Sequence, residues 1–548
     1  MNGMLNQITL QYQIQGVSYS LPVGKSDNHF QFQTRQTGNI VHVEIIPLQS
    51  NLYCQQLSLS IQFRTAIQRW RNHNYSWVSL DMNRIANEYS PKILQLSDGN
   101  FVQAGQTHGC WEFQKRKAAT LLWHYYTPEM RPVFYFDPHR VFYKPEIQIH
   151  EPLKFSLLLT PKSPLEWSRS PIPFSAIFCI TDHCDFDSLL LLRAQRKLLR
   201  ETGLKISKGI FFNHFSKRNW NAAYEKPEDR AEIQQWQQDG HEVFFHSLSQ
   251  SIKSGKESWV DFDRFKVPRD LSPIHTWVDH GYQPYNFTLQ KSAKEQKVWL
   301  KRMLDKGFSI FWNYYDSFED AAVINQIGVE CFCPAYIFRL KTGWSEKLRL
   351  LLYYQSTEKN VYAYRKWAGS IKIFTAMPSL SNAGYLLSNT GAIIPVIAKL
   401  LAAWLLHPKR ASAYSKYAPL VFEYPGIPDI QIFQSIAIKN YVHAFSEEML
   451  ADFASNAGVC IAHTYLASME QHHTGRLFIN ETGQTREETR QAWMHMGRYI
   501  SEKKVWNPTI YELATWLKKF SAISFSINQD GEIIYRGPEE IAVRRIDD

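Results

Sequence analysis

Cysteine is scarce in this 548-residue chain: seven, at positions 54, 110, 179, 184, 331, 333 and 460, an odd number without the spacing of a disulfide framework. That excludes a small stapled scaffold and fits a reducing compartment. A glycine-rich phosphate loop, a dinucleotide fingerprint and a Gly-x-Ser-x-Gly elbow are all missing, so kinases, dehydrogenases and serine hydrolases lose support. No dense Lys/Arg stripe with interleaved aromatics occurs, and 61 basic against 51 acidic residues give only +10. No nucleic-acid partner is therefore expected. The first residues, Met1-Asn2-Gly3-Met4-Leu5, lack a basic region followed by an apolar core, so a cytoplasmic location is expected. A membrane-spanning run is also wanting, because residues 391–406 are apolar but short and include Lys399, whereas a span takes about 20 residues. A buried or surface-docked helix starting near Pro395 and stopped by Pro408 is expected instead. Peripheral membrane contact through that helix and the following Lys409 and Arg410 is the alternative. No internal repeat or low-complexity tract is visible.

What the chain does have is aromatic weight, with 17 Trp, 28 Tyr and 33 Phe, which serves core packing first and sugar-face stacking second. The first 165 residues alternate with period two, as in Ile8-Thr9-Leu10-Gln11-Tyr12-Gln13-Ile14 and Leu57-Ser58-Leu59-Ser60-Ile61-Gln62-Phe63. That pattern predicts an all-β, sandwich-like domain over 1–165. The stretch from Pro161 to Pro173, with four prolines, reads as a linker. Beyond it strands and helices alternate: strand 176–180, helix 187–202, strand 206–212, helix 227–239, strand 242–246, helix 293–306, strand 308–312 and a helix at 318–326. The fold class is α/β, with parallel strands closing into an irregular (β/α) barrel over 170–520, an insertion near 336–445, and short strands with a tail over 521–548.

The chemistry is expected where strands end, because loops after parallel barrel strands open on one face. Phe178-Cys179-Ile180-Thr181-Asp182-His183-Cys184-Asp185-Phe186-Asp187 is an apolar strand that stops in three carboxylates and a histidine. Such crowding perturbs carboxylate pKa values unless a cation neutralises them. Three further apolar runs end in histidine, at His246, at His275 to His280 and at His463. His and Asp donors suit a borderline divalent metal ion, zinc above all. Paired carboxylates such as Asp182 and Asp185 also admit a glycoside hydrolase.

These residues resemble the motifs of the polysaccharide deacetylase family. Ile180-Thr181-Asp182-His183-Cys184-Asp185 stands where that family has Thr-Phe-Asp-Asp-Gly, Gly240-His241-Glu242 through His246-Ser247 matches half of the second motif, and Gly458-Val459-Cys460-Ile461-Ala462-His463 resembles the last. The resemblance implies a barrel of that family's type, with Asp182 as catalytic base and His463 as general acid. It further implies a metal held by His183 or Asp185 and by His246. Gln250 replaces the second motif histidine, leaving His275 or His280 to supply a ligand. Tyr285 and Asn286 are candidates for orienting substrate hydroxyls. On this reading the chain is a zinc-type hydrolase removing acetyl groups from N-acetylated sugars in polysaccharide or cell-envelope metabolism. The alternatives are a glycoside hydrolase using Asp182 and Asp185, and a catalytically silent glycan-binding protein.

Overall fold

The computed structural model describes residues 4–135, 141–143, 145–215, 221–290, 292–319, 325–339, 343–355, 358–410, 416–438, 440–469 and 475–546. A closed barrel of seven parallel strands lies at its centre: β1 (Ala176–Asp182), β2 (Ser207–Ile210), β3 (Glu242–His246), β4 (Thr276–Val278), β5 (Ile310–Glu319), β6 (Ile427–Ala437) and β7 (Val459–Thr464). Closure is made by β1, which pairs with β7 through Ile180 against Ala462 and with β2 through Asp182 against Lys208. Every residue of β1 is buried, as expected of a parallel strand covered on both faces. Helices α1 (Leu189–Thr202), α2 (Pro227–Gln238), α3 (Gly255–Arg264) and α4 (Ala293–Asp305) pack outside.

Alternation along each strand assigns the two faces. Phe178, Ile180, Phe245, Trp277, Phe311, Cys460 and Ala462 pack into the core shared with the helices. Ile177, Cys179, Phe244, Val278, Ile310, Trp312, Phe433 and Ile461 fill the barrel interior. The parity therefore sends His183, His246 and His463 inward, and Asp182 and Lys208 outward towards α1. Ser188 caps α1 through the Leu191 amide, and Gly203, at φ 73°, ends it in the left-handed region that glycine enters freely.

The first 160 residues form antiparallel sheets of six and eight strands around a core that includes Leu10, Leu59, Trp123 and Phe155, in keeping with the expected β-domain. The proline-rich stretch after them is no loose linker. Glu166 is fully buried between Arg71 and Arg544, and the Arg169 guanidinium donates to the carbonyls of Tyr89 and Ala457, both at 2.9 Å. Four prolines suggest flexibility only where nothing else anchors the chain, and here buried charges need fixed partners. The C-terminal strand Val543–Arg545 pairs back onto Leu165–Trp167.

Two expectations are corrected. The sixth barrel strand lies inside the region read as an insertion, because the Asp429-Ile430-Gln431-Ile432-Phe433 pattern is a strand that begins after a hairpin with Val421–Tyr424. The helix expected from Pro395 starts at Leu380 and passes through Pro395 to Leu406, with only Ile393 and Leu400 buried. Of the helix expected at 318–326, residues 318 and 319 belong to β5, and 320–324 lie outside the described residues.

Candidate metal centre

The inward-facing ends of β1, β3 and β7 bring three histidines into one layer. The His183 ring lies 4.3 Å from that of His246 and 4.0 Å from that of His463, centroid to centroid. Asp185, two residues beyond His183 on a tight loop, joins them. Its carboxylate meets His246 Nε2 at 3.1 Å and His280 Nε2 at 2.6 Å. One donor atom each from His183, Asp185 and His246 lies within 4.8 Å of the others. Of the five residues expected to hold a metal, His183, Asp185, His246 and His280 are thus brought together.

Supporting contacts fix these groups. Asp185 is anchored through its backbone carbonyl, which accepts from Gln250 Nε2 at 2.7 Å and Asn221 Nδ2 at 3.0 Å. Gln250 therefore holds the loop that carries Asp185. His246 Nδ1 lies 3.3 Å from the Val278 carbonyl, the backbone contact that orients a metal-binding imidazole. Ser247 follows at φ 57°, a conformation uncommon for a residue with a Cβ. It is held there by its amide donating to the Val278 carbonyl, its hydroxyl donating to Asn286 Oδ1 and the His280 amide donating to that hydroxyl.

Burial, and then the neighbouring His463 and His246, keep the His183 imidazole neutral, well below the usual histidine range. Burial likewise takes His246 down to about 4, although Asp185 opposes it. Desolvation works against charge on Asp185, but His280 and His246 beside it hold its carboxyl well below the ordinary range. Neutral imidazoles beside an ionised carboxylate are the ligand states a divalent cation requires. The Nδ1 atom of His183 is buried without a hydrogen-bond partner among the described residues, which costs free energy unless a cation or water fills the place. The donor set therefore fits a metal ion. Trp312, Tyr465 and Phe211 wall it, with Trp312 5.0 Å and Tyr465 5.3 Å from the His183 ring and Phe211 5.7 Å from that of His246.

Asp182 stands apart. Facing the helix layer, it is fully buried and ion-paired with Lys208, while its Oδ1 accepts from the Leu466 amide at 2.8 Å. Lys208 also meets Asp187 at 2.6 Å and donates to Gln195 Oε1 at 2.9 Å. Burial holds both carboxyls above their usual range against the pull of this lysine. A base so enclosed cannot reach a water in the barrel mouth, and the role expected of Asp182 is corrected to a structural one.

Three more candidates are corrected. His275 precedes β4 at the opposite, N-terminal end of the barrel and stacks on Tyr511 at 4.5 Å. Replacing it with alanine is expected to leave metal content unchanged, as checked by elemental analysis. Tyr285 is 1% exposed and stacks on Phe262. Asn286, fully buried, donates to the carbonyls of His280 and Gly281 and accepts from Ser247. Neither can touch a substrate. Asn286→Ala is expected to cost about 1–3 kcal/mol in stability by stranding these buried groups, measured by denaturant unfolding. Sequence reasoning missed Lys208, Gln195 and Trp312. A lysine inside the strand Ile206-Ser207-Lys208-Gly209-Ile210 was a signal, because a buried ammonium demands a carboxylate.

No family model and no curated protein matches the chain. Solved structures similar to it include a GH31 dextranase of Flavobacterium johnsoniae complexed with glucose, at 9% identity, covering 97% of this chain and 72% of the other with a TM-score of 0.25. A cycloalternan-degrading enzyme of Trueperella pyogenes in complex with isomaltose gives 8% identity, 100% and 93% coverage and the same TM-score of 0.25. The resemblance to polysaccharide deacetylases is corrected: no family model supports it, and the residue it implies as catalytic base is locked to Lys208.

Proposed function

We propose that this chain is a hydrolase acting on a carbohydrate, with a divalent metal held by His183, Asp185 and His246 at the mouth of the barrel. The observation that carries this reading is the meeting of those three donors within 4.8 Å, at the barrel end where catalytic groups collect. Zinc suits the mixed nitrogen and oxygen donors, and such an ion would polarise the scissile group and lower the pKa of a water. His280, whose ring lies 4.8 Å from that of His246, holds the other carboxylate oxygen of Asp185 and fixes its direction. His463, inward on the neighbouring strand, would pass a proton to the leaving group. Trp312, buried, and Tyr465 pack on the His183 ring and exclude bulk water from it.

Direct glycoside hydrolysis is the second reading, favoured by Asp185, whose side chain is 15% exposed where Asp182 and Asp187 are sealed. Asp185, held ionised by His280 and His246, would then be the nucleophile or base, and the partner acid would have to be a carboxyl other than Asp182. Incubating the purified protein with gluco-oligosaccharides and following products by mass spectrometry separates the two. Hydrolysis abolished by a chelator, restored by zinc and absent from His246→Ala supports the metal reading. Hydrolysis indifferent to chelation but lost in Asp185→Asn supports the second, and no product under either condition sinks the carbohydrate assignment. Because His246 protonates only near pH 4, metal should be retained at pH 6 and released as pH falls through about 4. Equilibrium dialysis across that range checks this.

A further inference from the structure

Between the fifth and sixth barrel strands the chain makes a helical hairpin, α5 (Glu358–Ala376) and α6 (Leu380–Leu406). It is pinned by Trp367 Nε1 donating to Thr390 Oγ1 at 3.1 Å. Ile393 and Leu400, seven residues apart, form the one buried seam of α6. The neighbouring stripe is bare: Leu380 is 95% exposed, Leu387 72% and Ile394 58%, and at the far end Leu405 and Leu406 are exposed as well. Only 11% of the most apolar stretch of this helix is buried. Leaving such a stripe in water is costly, and an exposed apolar surface of this extent marks an interaction site.

Charge identifies the partner. From residue 359 to residue 422 the chain has no Asp or Glu at all, while it carries Lys359, Arg365, Lys366, Lys372, Lys399, Lys409, Arg410 and Lys416. A second copy docking hairpin to hairpin would set one predominantly basic surface against itself, although Lys416 is already paired with Glu112, because a two-fold contact uses the same surface twice. A bilayer of anionic lipid offers both an apolar interior for the leucine stripe and phosphates for the cations. Trp344, 66% exposed beside the hairpin base, is a residue type suited to the headgroup layer. We infer that the α5–α6 hairpin docks this enzyme on an anionic membrane surface, with the Leu380–Leu387–Ile394 stripe lying in the interface. The catalytic domain would then work at a membrane face.

Co-sedimentation of the full chain with vesicles tests this. Vesicles of phosphatidylcholine with a third phosphatidylglycerol should take up the protein, uptake should fall as salt rises, and phosphatidylcholine alone should retain little. Leu387→Gln/Ile394→Gln and, separately, Lys409→Glu/Arg410→Glu should each lower partitioning at least about tenfold, with barrel unfolding unchanged because all four side chains are exposed. Two results overturn the inference: equal partitioning of both variants and the unaltered protein, or a lipid-free dimer in analytical ultracentrifugation that Leu387→Gln/Ile394→Gln dissolves. Neither readout depends on the hydrolase reading.

Discussion

Asp185→Ala should abolish hydrolysis and weaken metal binding by at least about a hundredfold. The carboxylate is the hub of the cluster, contacting His246 with one oxygen and His280 with the other. Its loss removes one donor outright and releases two imidazoles from their orientation, and disturbing supporting contacts alone costs about 10–100-fold in metal affinity. Asp185→Asn keeps the shape, and its amide oxygen can still bind, but it carries no charge, so intermediate affinity is expected. Competition against a fluorescent zinc chelator measures both. Unchanged affinity in Asp185→Ala would remove this residue from the site. His280→Ala, which strips only the outer support of Asp185, should fall between unaltered protein and Asp185→Ala.

Lys208→Met carries the second large effect, on stability. Two buried carboxylates, Asp182 and Asp187, share this one ammonium, and removing the cation leaves them uncompensated where water cannot reach. Breaking a buried ion pair in this way costs about 3–5 kcal/mol. The carboxyls would answer by taking up protons, so the loss should be smaller in acid and larger as pH rises. Adding Asp182→Asn to Lys208→Met should recover much of the loss, since the amide replaces a charge while still accepting from the Leu466 amide. The denaturant midpoint of the barrel, followed by tryptophan fluorescence across a pH series, reports this. Equal destabilisation by the single and double variants would show that Asp182 and Lys208 are not coupled. Asp182→Asn alone should leave both zinc content and turnover unchanged, whereas zinc retained with turnover lost would restore the role of base.

The barrel and the β-domain were legible because period-two runs and alternating strands and helices are local patterns, readable wherever a face is buried. The candidate metal residues were legible for the same reason, as polar groups interrupting apolar strand ends. Which of two adjacent residues enters the barrel was not legible, because β1 is buried on both faces and its apolar run does not alternate; the structure turns Phe178 and Ile180 outward, and with them Asp182, while His183 points in. The family resemblance put the base on the outward residue. Gln250, Asn221 and Ser247 act through backbone contacts made across the sequence, which no local pattern announces. Likewise, the sequence left the helix around Pro395 either buried or docked on a surface, because hydropathy does not tell which apolar faces find a partner.

Crystals soaked in zinc and measured at the zinc absorption edge would test the central claim most directly. The account predicts one strong anomalous peak between His183, Asp185 and His246, about 2.0–2.2 Å from the nitrogen and oxygen donors, and none in crystals of His246→Ala. A fully soaked crystal without a peak there would contradict it.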